Sequence, residues 1–227
     1  MRVKLSLAVL SSLVLCCLCL ASARAQSGKT VPPPTPLPFV PPPPVPPQTA
    51  RLVEDTAAPV GWKRYEFKYG EGDTMSVFFP KAPTESVEKT EVTNGAYSIV
   101  HILSAETPAG VYLAGYLELI APSNIKITPA AKEIIFNGFW KNFSSGMQQQ
   151  LEKMGIQAKL TSAEPRKVVA AGREAQEQDF NVGNVTGRYR VVAGERTLYM
   201  MVTLGFGEGS AKERDIFVES LRLAAAR

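Results

Sequence analysis

Histidine occurs once in this chain, at position 101, and all three cysteines (Cys16, Cys17 and Cys19) fall within its first twenty residues. A single histidine rules out a multi-histidine metal site and leaves little room for a catalytic triad. Beyond residue 19 there is no thiol, so disulfides, thiolate metal sites and Cys–His nucleophiles are excluded from the rest of the chain. Long apolar runs are also scarce. The one that stands out, Leu5 to Leu20, is shorter than the ~20 residues a membrane-spanning helix needs. An excess of one charge is missing too. Lys and Arg total 25 against 21 Asp and Glu, and removing Arg2, Lys4 and Arg24 leaves 22 against 21. No basic face of the kind that grips nucleic acid is expected, so nucleic acid is not a partner.

What is present begins with an address. Arg2 and Lys4 precede the apolar run, and "ASARAQ" puts Ala23 and Ala25 at the small-residue positions of a cleavage site. This is the pattern of a secretory signal over residues 1–25, cut between Ala25 and Gln26. The residues before the cysteines (Leu15, Cys16 and Leu18) do not fit a lipoprotein signal. The protein is therefore expected to be exported, periplasmic or extracellular. An uncleaved segment acting as an anchor is the alternative, and it would be the only membrane contact. Residues 26–60 follow as a linker. Eleven of the chain's 18 prolines lie in "VPPPTPLPFVPPPPVPPQTA", residues 31–50. Proline fixes φ and lacks an N–H, so the run should extend as polyproline II, about 55 Å from Val31 to Gln48 at ~3.1 Å per residue. A stalk is favoured over a ligand for a proline-recognising module, because no basic residue stands in the usual register.

Residues 61–227 carry the folding pattern. "WKRYEFKY" (62–69) alternates as a half-buried strand and "TMSVFFP" (74–80) returns. "AYSIVHIL" (96–103) and "VYLAGYLELIA" (111–121) follow, the second apolar on both faces and so central and covered on both sides. From Thr128 the period changes to that of a helix. Pro129 suits its first position, and Phe136, Phe139, Trp140, Phe143, Met147, Leu151 and Met154 form one stripe. Strands are then expected at 156–163, 171–182, 186–193 and 196–206, the last two joined as a hairpin. A short helix follows, with Ser210 and Glu213 in capping-box spacing. Without strand–helix–strand alternation, the fold class is α+β: an antiparallel sheet of about seven to eight strands with one long and one short helix packed on it, an α/β/α sandwich. It is expected to be a single domain and a monomer.

Residues able to do chemistry are sparse. His101 shares a strand face with Tyr97, Ile99 and Leu103, which reads as a hydrogen-bonded structural histidine. "LGFGEGS" (204–210) has Ser where a dinucleotide fingerprint needs its last Gly, so it reads as a strand-to-helix loop with Ser210 as N-cap. Glu177 and Asp179 share a face and read as a solvated strand surface. Arg188 and Arg190 also share a face and are the candidate contact for a partner or anionic group. Trp140 and Phe143 are the candidate lining of an apolar pocket, with core packing as the competing reading. No catalytic, cofactor or metal residue is assigned. Asn142-Phe143-Ser144 and Asn184-Val185-Thr186 match glycosylation sequons.

Several phrases together carry a family resemblance: the aromatic strand before "MSVFFP", "GREAQEQDF", the hairpin "RYRVVAGERTLYMMVTLG" and the closing "DIFVESLRL". Over residues 62–223 the chain resembles the PsbP-like domain superfamily, which includes the bacterial DcrB proteins. The resemblance implies an exported or lumenal, non-enzymatic accessory protein. No ion-binding motif of the photosynthetic members is recognisable, so none is carried over. The resulting expectation is a non-enzymatic binding domain on a proline-rich stalk, with a protein or envelope component as partner. Its alternative is a carrier of a small apolar ligand held between the long helix and the sheet, and hydrolase activity has the least support.

Overall fold

The computed structural model describes residues 50–68, 73–93, 96–120, 129–153, 157–194, 197–207 and 209–224. Twelve strands and two helices occur in these residues. The strands are β1 (Arg51–Val53), β2 (Lys63–Phe67), β3 (Thr74–Phe79), β4 (Thr84–Thr93), β5 (Ala96–Thr107) and β6 (Gly110–Ile120), then β7 (Leu160–Ser162), β8 (Arg166–Ala170), β9 (Arg173–Val182), β10 (Val185–Ala193), β11 (Thr197–Phe206) and β12 (Arg222–Ala224). The helices are α1 (Pro129–Lys153), which starts on the expected proline, and α2 (Ser210–Glu219). The fold is α+β, and every strand pair is antiparallel.

The strands divide into two sheets, where a single sheet was expected. The larger runs β4-β5-β6-β11-β10-β9-β7, with β8 also on the outer edge of β9; the smaller runs β1-β2-β3-β12. The division follows from what each strand must bury. On β6, Val111 and Leu113 turn to one side and Tyr112, Ala114 and Tyr116 to the other, and both sides are buried. Two layers are therefore needed to cover the large sheet.

Helix α1 supplies one layer. Phe136, Phe139, Phe143, Met147 and Leu151 recur at three- and four-residue steps and pack on Val111, Leu113, Tyr189, Val191 and Val202. Gly187 makes room for this packing. A Cβ there would stand 2.3 Å from the Phe180 ring, so only glycine lets that ring lie across β10. The small sheet and α2 supply the other layer. Tyr65, Phe67, Met75, Val77 and Phe79 join Phe217, Val218 and Leu221 against Ile99, Leu103, Tyr112, Tyr116 and Met201. Burying side chains of this size contributes about 1.5–3 kcal/mol each.

Two boundaries differ from expectation. Packed structure reaches back to Ala50, although residues up to 60 were read as linker. β1 pairs with β2 in the register Leu52↔Tyr65, and Asp55 is bound to Arg64. The prolines end at Pro47, and Arg51-Leu52-Val53 is free to pair. At α2, Ser210 is not the cap. Gly209 takes the N-cap at φ 88°, a left-handed value suited to glycine, while the Ser210 hydroxyl donates to the Gly207 carbonyl at 2.8 Å. Glu213 accepts instead from the Tyr112 hydroxyl of the large sheet.

Candidate functional site

On β2 the alternation that sends Tyr65 and Phe67 inward sends Arg64 and Glu66 to the outer face of the small sheet. Thr74 and Ser76 of β3 stand beside them. An outward arginine in an alternating strand would ordinarily be solvated, yet Arg64 is only 3% exposed. The segment after β1 folds over it. Arg64 Nε donates to Asp55 Oδ2 at 2.5 Å, and Nη1 donates to Ser76 Oγ at 3.2 Å and to the Ser220 carbonyl at 2.9 Å. The guanidinium carbon lies 4.0 Å from the centre of the Phe78 ring. Asp55 also accepts from the Ala57 amide at 2.9 Å and faces Arg222 Nη1 at 3.1 Å. These contacts hold the Asp55 carboxyl below its usual range, the Arg64 hydrogen bond chief among them. Burial pulls Arg64 down, and its bond to Asp55 opposes this.

This arrangement floors a groove of about 630 Å³ on the outer face of the small sheet. Val53, Glu54, Asp55 and Thr56 form one wall, Arg222, Leu223 and Ala224 the other, with Glu66, Thr74 and Ser76 between them. Arg222 and Glu54 are exposed. The lining mixes both charge signs with hydroxyls and strand backbone, a surface suited to hydrogen-bonding an extended polar partner. Among the described residues, no group of three or more His, Cys, Asp or Glu side chains is placed to hold a metal ion.

The residues singled out from sequence lie elsewhere. Arg188 and Arg190 share a face of β10, as expected, but both are engaged within the molecule. Arg190 Nε donates to Glu177 Oε2 at 2.8 Å, Nη1 to the Val218 carbonyl at 3.0 Å, and Nη2 to Glu219 at 2.5 Å. Arg188 Nε donates to Asp179 at 2.6 Å and Nη1 to Asp215 at 3.0 Å. Arg166 joins from β8, 2.5 Å from Glu177. Glu177 is therefore buried at the centre of a charge ladder, not solvated, because β8 and α2 close over that part of β9 and β10. Burial pushes the Asp179 carboxyl up, but Arg188 and its neighbouring arginines outweigh this and hold it below the usual value. The anion contact expected of Arg188 and Arg190 thus competes with internal carboxylates for the same donors.

Trp140 and Phe143 come together as expected, with ring centres 5.8 Å apart. Phe143 is wholly buried, and half-buried Trp140 stacks on Tyr189 at 5.1 Å. Both pack on the large sheet. His101 lies in the layer between the sheets at 1% exposure, with Nε2 3.0 Å from Glu85 Oε1 and the rings of Phe67 and Tyr116 beside it. Its neighbour Tyr97 and the Ala25–Gln26 cleavage site lie outside the residues whose side chains are described.

Sequence reasoning missed the groove because its parts are far apart in the chain. Arg64 hydrogen-bonds across 9 residues to Asp55 and across 156 to Ser220. Only the Asp-Thr-Ala turn signal at 55–57 was visible locally.

Neither protein-family models nor curated proteins give a match to this sequence. Among solved structures, the chain is similar to cyanobacterial PsbP (CyanoP) from Synechocystis, with 11% identity and a TM-score of 0.44, covering 75% of this chain and 97% of that one.

Proposed function

We propose that this protein is an exported, non-enzymatic binding domain carried on a proline-rich stalk, and that it meets a protein or cell-envelope component through the groove on its small sheet. The observation that carries this reading is the groove itself. It is about 630 Å³ of open space, its floor fixed by the Arg64–Asp55–Arg222 cluster. A buried arginine with three hydrogen-bonding partners holds that floor rigid, which lowers the ordering cost a partner must overcome on binding. The groove also begins at β1, where the chain continues from the proline-rich stretch. A semi-rigid stalk of about 55 Å would hold this face at a distance from whatever anchors the other end. In this reading the protein is a monomer, periplasmic or extracellular, cut between Ala25 and Gln26, and does not bind nucleic acid.

Photo-crosslinking in the native envelope fraction tests the reading. A crosslinker placed at Glu54 or Thr74 of the mature chain should capture a discrete partner, and Arg222→Glu should abolish the capture. The same group at Gln149, on the exposed side of α1, should capture none. Equal capture from Gln149, or none from the groove positions, would overturn the assignment.

A further inference from the structure

The guanidinium of Arg64 carries N–H donors on three nitrogens, and the fold occupies only two of these. Nε donates to Asp55, and Nη1 donates to Ser76 and to the Ser220 carbonyl. Nη2 has no acceptor among the described residues and keeps contact with solvent, although the residue as a whole is nearly enclosed. The Phe78 ring covers one face of the guanidinium and Arg64 lines the groove, so the groove is where Nη2 opens. A buried cation with unused donors is completed by an acceptor brought from outside. We infer that the groove takes an extended basic segment of a partner protein: a main-chain carbonyl of that segment accepts from Arg64 Nη2, and a Lys or Arg side chain of the same segment is received by Glu66 and Glu54. The inference rests on the binding role given to the groove above and names the chemistry of its occupant.

The charges of the lining set the sign of the partner. Asp55 is taken by Arg64 and Arg222, and the second contact ties the β12 wall to the floor. That leaves Glu66, half-buried on the outward face of β2, and Glu54, exposed on the wall. Neither forms an ion pair among the described residues, and Glu66 acts on Arg64 only at longer range. Arg51 stands opposite Glu66 on β1, but it lies outside the lining and makes no ion pair with it among the described residues. Carboxylates therefore outnumber guanidiniums in the lining by three to two. An acidic segment or a lipid phosphate would meet Arg222 at the rim and be repelled by Glu54 and Glu66. A main-chain carbonyl is uncharged, so Arg64 can accept it without displacing Asp55. The spacing also suits an extended chain. Arg64 and Glu66 are two residues apart on one strand, about 7 Å at ~3.3 Å per residue, which is the interval between successive same-side groups of an extended peptide.

Three end-blocked peptides, alternating Thr with Lys, with Gln or with Glu, test this when titrated into the full mature chain. The readout is the amide chemical shifts of residues 53–56, 64–66, 74–76 and 222–224. The Lys peptide should bind about fivefold or more tightly than the Gln peptide, and the Glu peptide should bind more weakly than both. Replacing both carboxylates, Glu54→Gln with Glu66→Gln, should remove most of the preference for Lys. Glu174→Gln, an exposed position on β9, should leave it intact. A Glu peptide bound as tightly as the Lys peptide would give the groove to anions and overturn the inference. Three equal affinities, a Lys preference that survives the double variant, or shifts confined to residues outside the groove would do the same. Should the double variant fail to fold, the ranking of the three peptides on the wild type decides alone. The two proposals can fail separately. Crosslinked capture of an acidic or non-protein partner from Glu54 or Thr74 would sink this inference and leave the groove's binding role standing. The expected peptide ranking with no capture in the envelope fraction would sink the native-partner assignment and leave this one.

Discussion

The two faces of the large sheet are covered in opposite ways. One is covered by a single continuous segment, α1, whose five deepest apolar residues all come from positions 136–151. The other is covered by pieces gathered from residues 62–79 and 217–221, joined by ion pairs as well as apolar contact. The α1 side takes its stability from local periodicity and aromatic depth. The small-sheet side takes it from long-range polar ties, such as Arg64 to Ser220 and Phe78 to the Ser220 hydroxyl. A surface held by specific long-range ties can be shaped for contact, and the groove is on that side.

The largest test of this contrast is on the helical side. Phe143→Ala should cost about 3–5 kcal/mol in urea unfolding, since the ring is fully enclosed. Trp140→Ala should cost less, because that ring is only part-buried although it contacts Phe143, Phe180 and Tyr189. Equal losses would mean that depth does not organise this layer. On the polar side, Glu177→Ala leaves Arg190 buried without its main partner and should cost on the order of 3 kcal/mol. A midpoint within error of wild type would reduce the ladder to surface decoration. Removing the chain up to Val60 should lower the melting temperature by several degrees, because β1 and the Asp55 cover of Arg64 go with it. Removing it only up to Thr49 should leave the temperature unchanged. If both truncations melt alike, the small-sheet edge adds nothing.

The smallest expected effect lies between the two layers. His101 is held below its ordinary value of 6.5 by burial, so its contribution to stability is full above that pH and is lost as pH falls. Glu85 is raised above its ordinary value of 4.5 by burial, so its contribution is full below that pH and is lost as pH rises. The two slopes oppose each other, and total stability should change little between these values. His101→Asn should uncover a stability that falls with rising pH, and Glu85→Gln one that rises. Identical slopes in the two variants would show that the pair does not titrate as its burial implies.

How much of this was readable in the sequence follows the same division. α1, its first residue, its buried stripe and the two-sided burial of β6 could all be read, because each is a repeating pattern inside one segment. The hairpin of β10 and β11 could be read for the same reason. β1, β4, β8 and β12 escaped notice: β1, β8 and β12 because strands of three to five residues carry little alternation, and β4 because nearly all its ten residues are polar. The roles of Arg64, Glu177 and Arg190 escaped for a different reason. A charged residue on the outward side of a strand looks solvated until some remote segment covers it, and neither Asp55 nor Glu219 announces that it will.

The small sheet also constrains when the protein can finish folding. Its fourth strand, β12, lies against β3, and Ser220 accepts from the Phe78 amide across 142 intervening positions. Such distant pairings carry a large loop-closure cost and form late. A chain made from its N-terminus cannot close this sheet until residues 220–224 are available. Until then Tyr65, Met75, Val77 and Phe79 have no complete layer to join. The same connectivity that holds the groove together therefore makes closure of this layer a late step in folding.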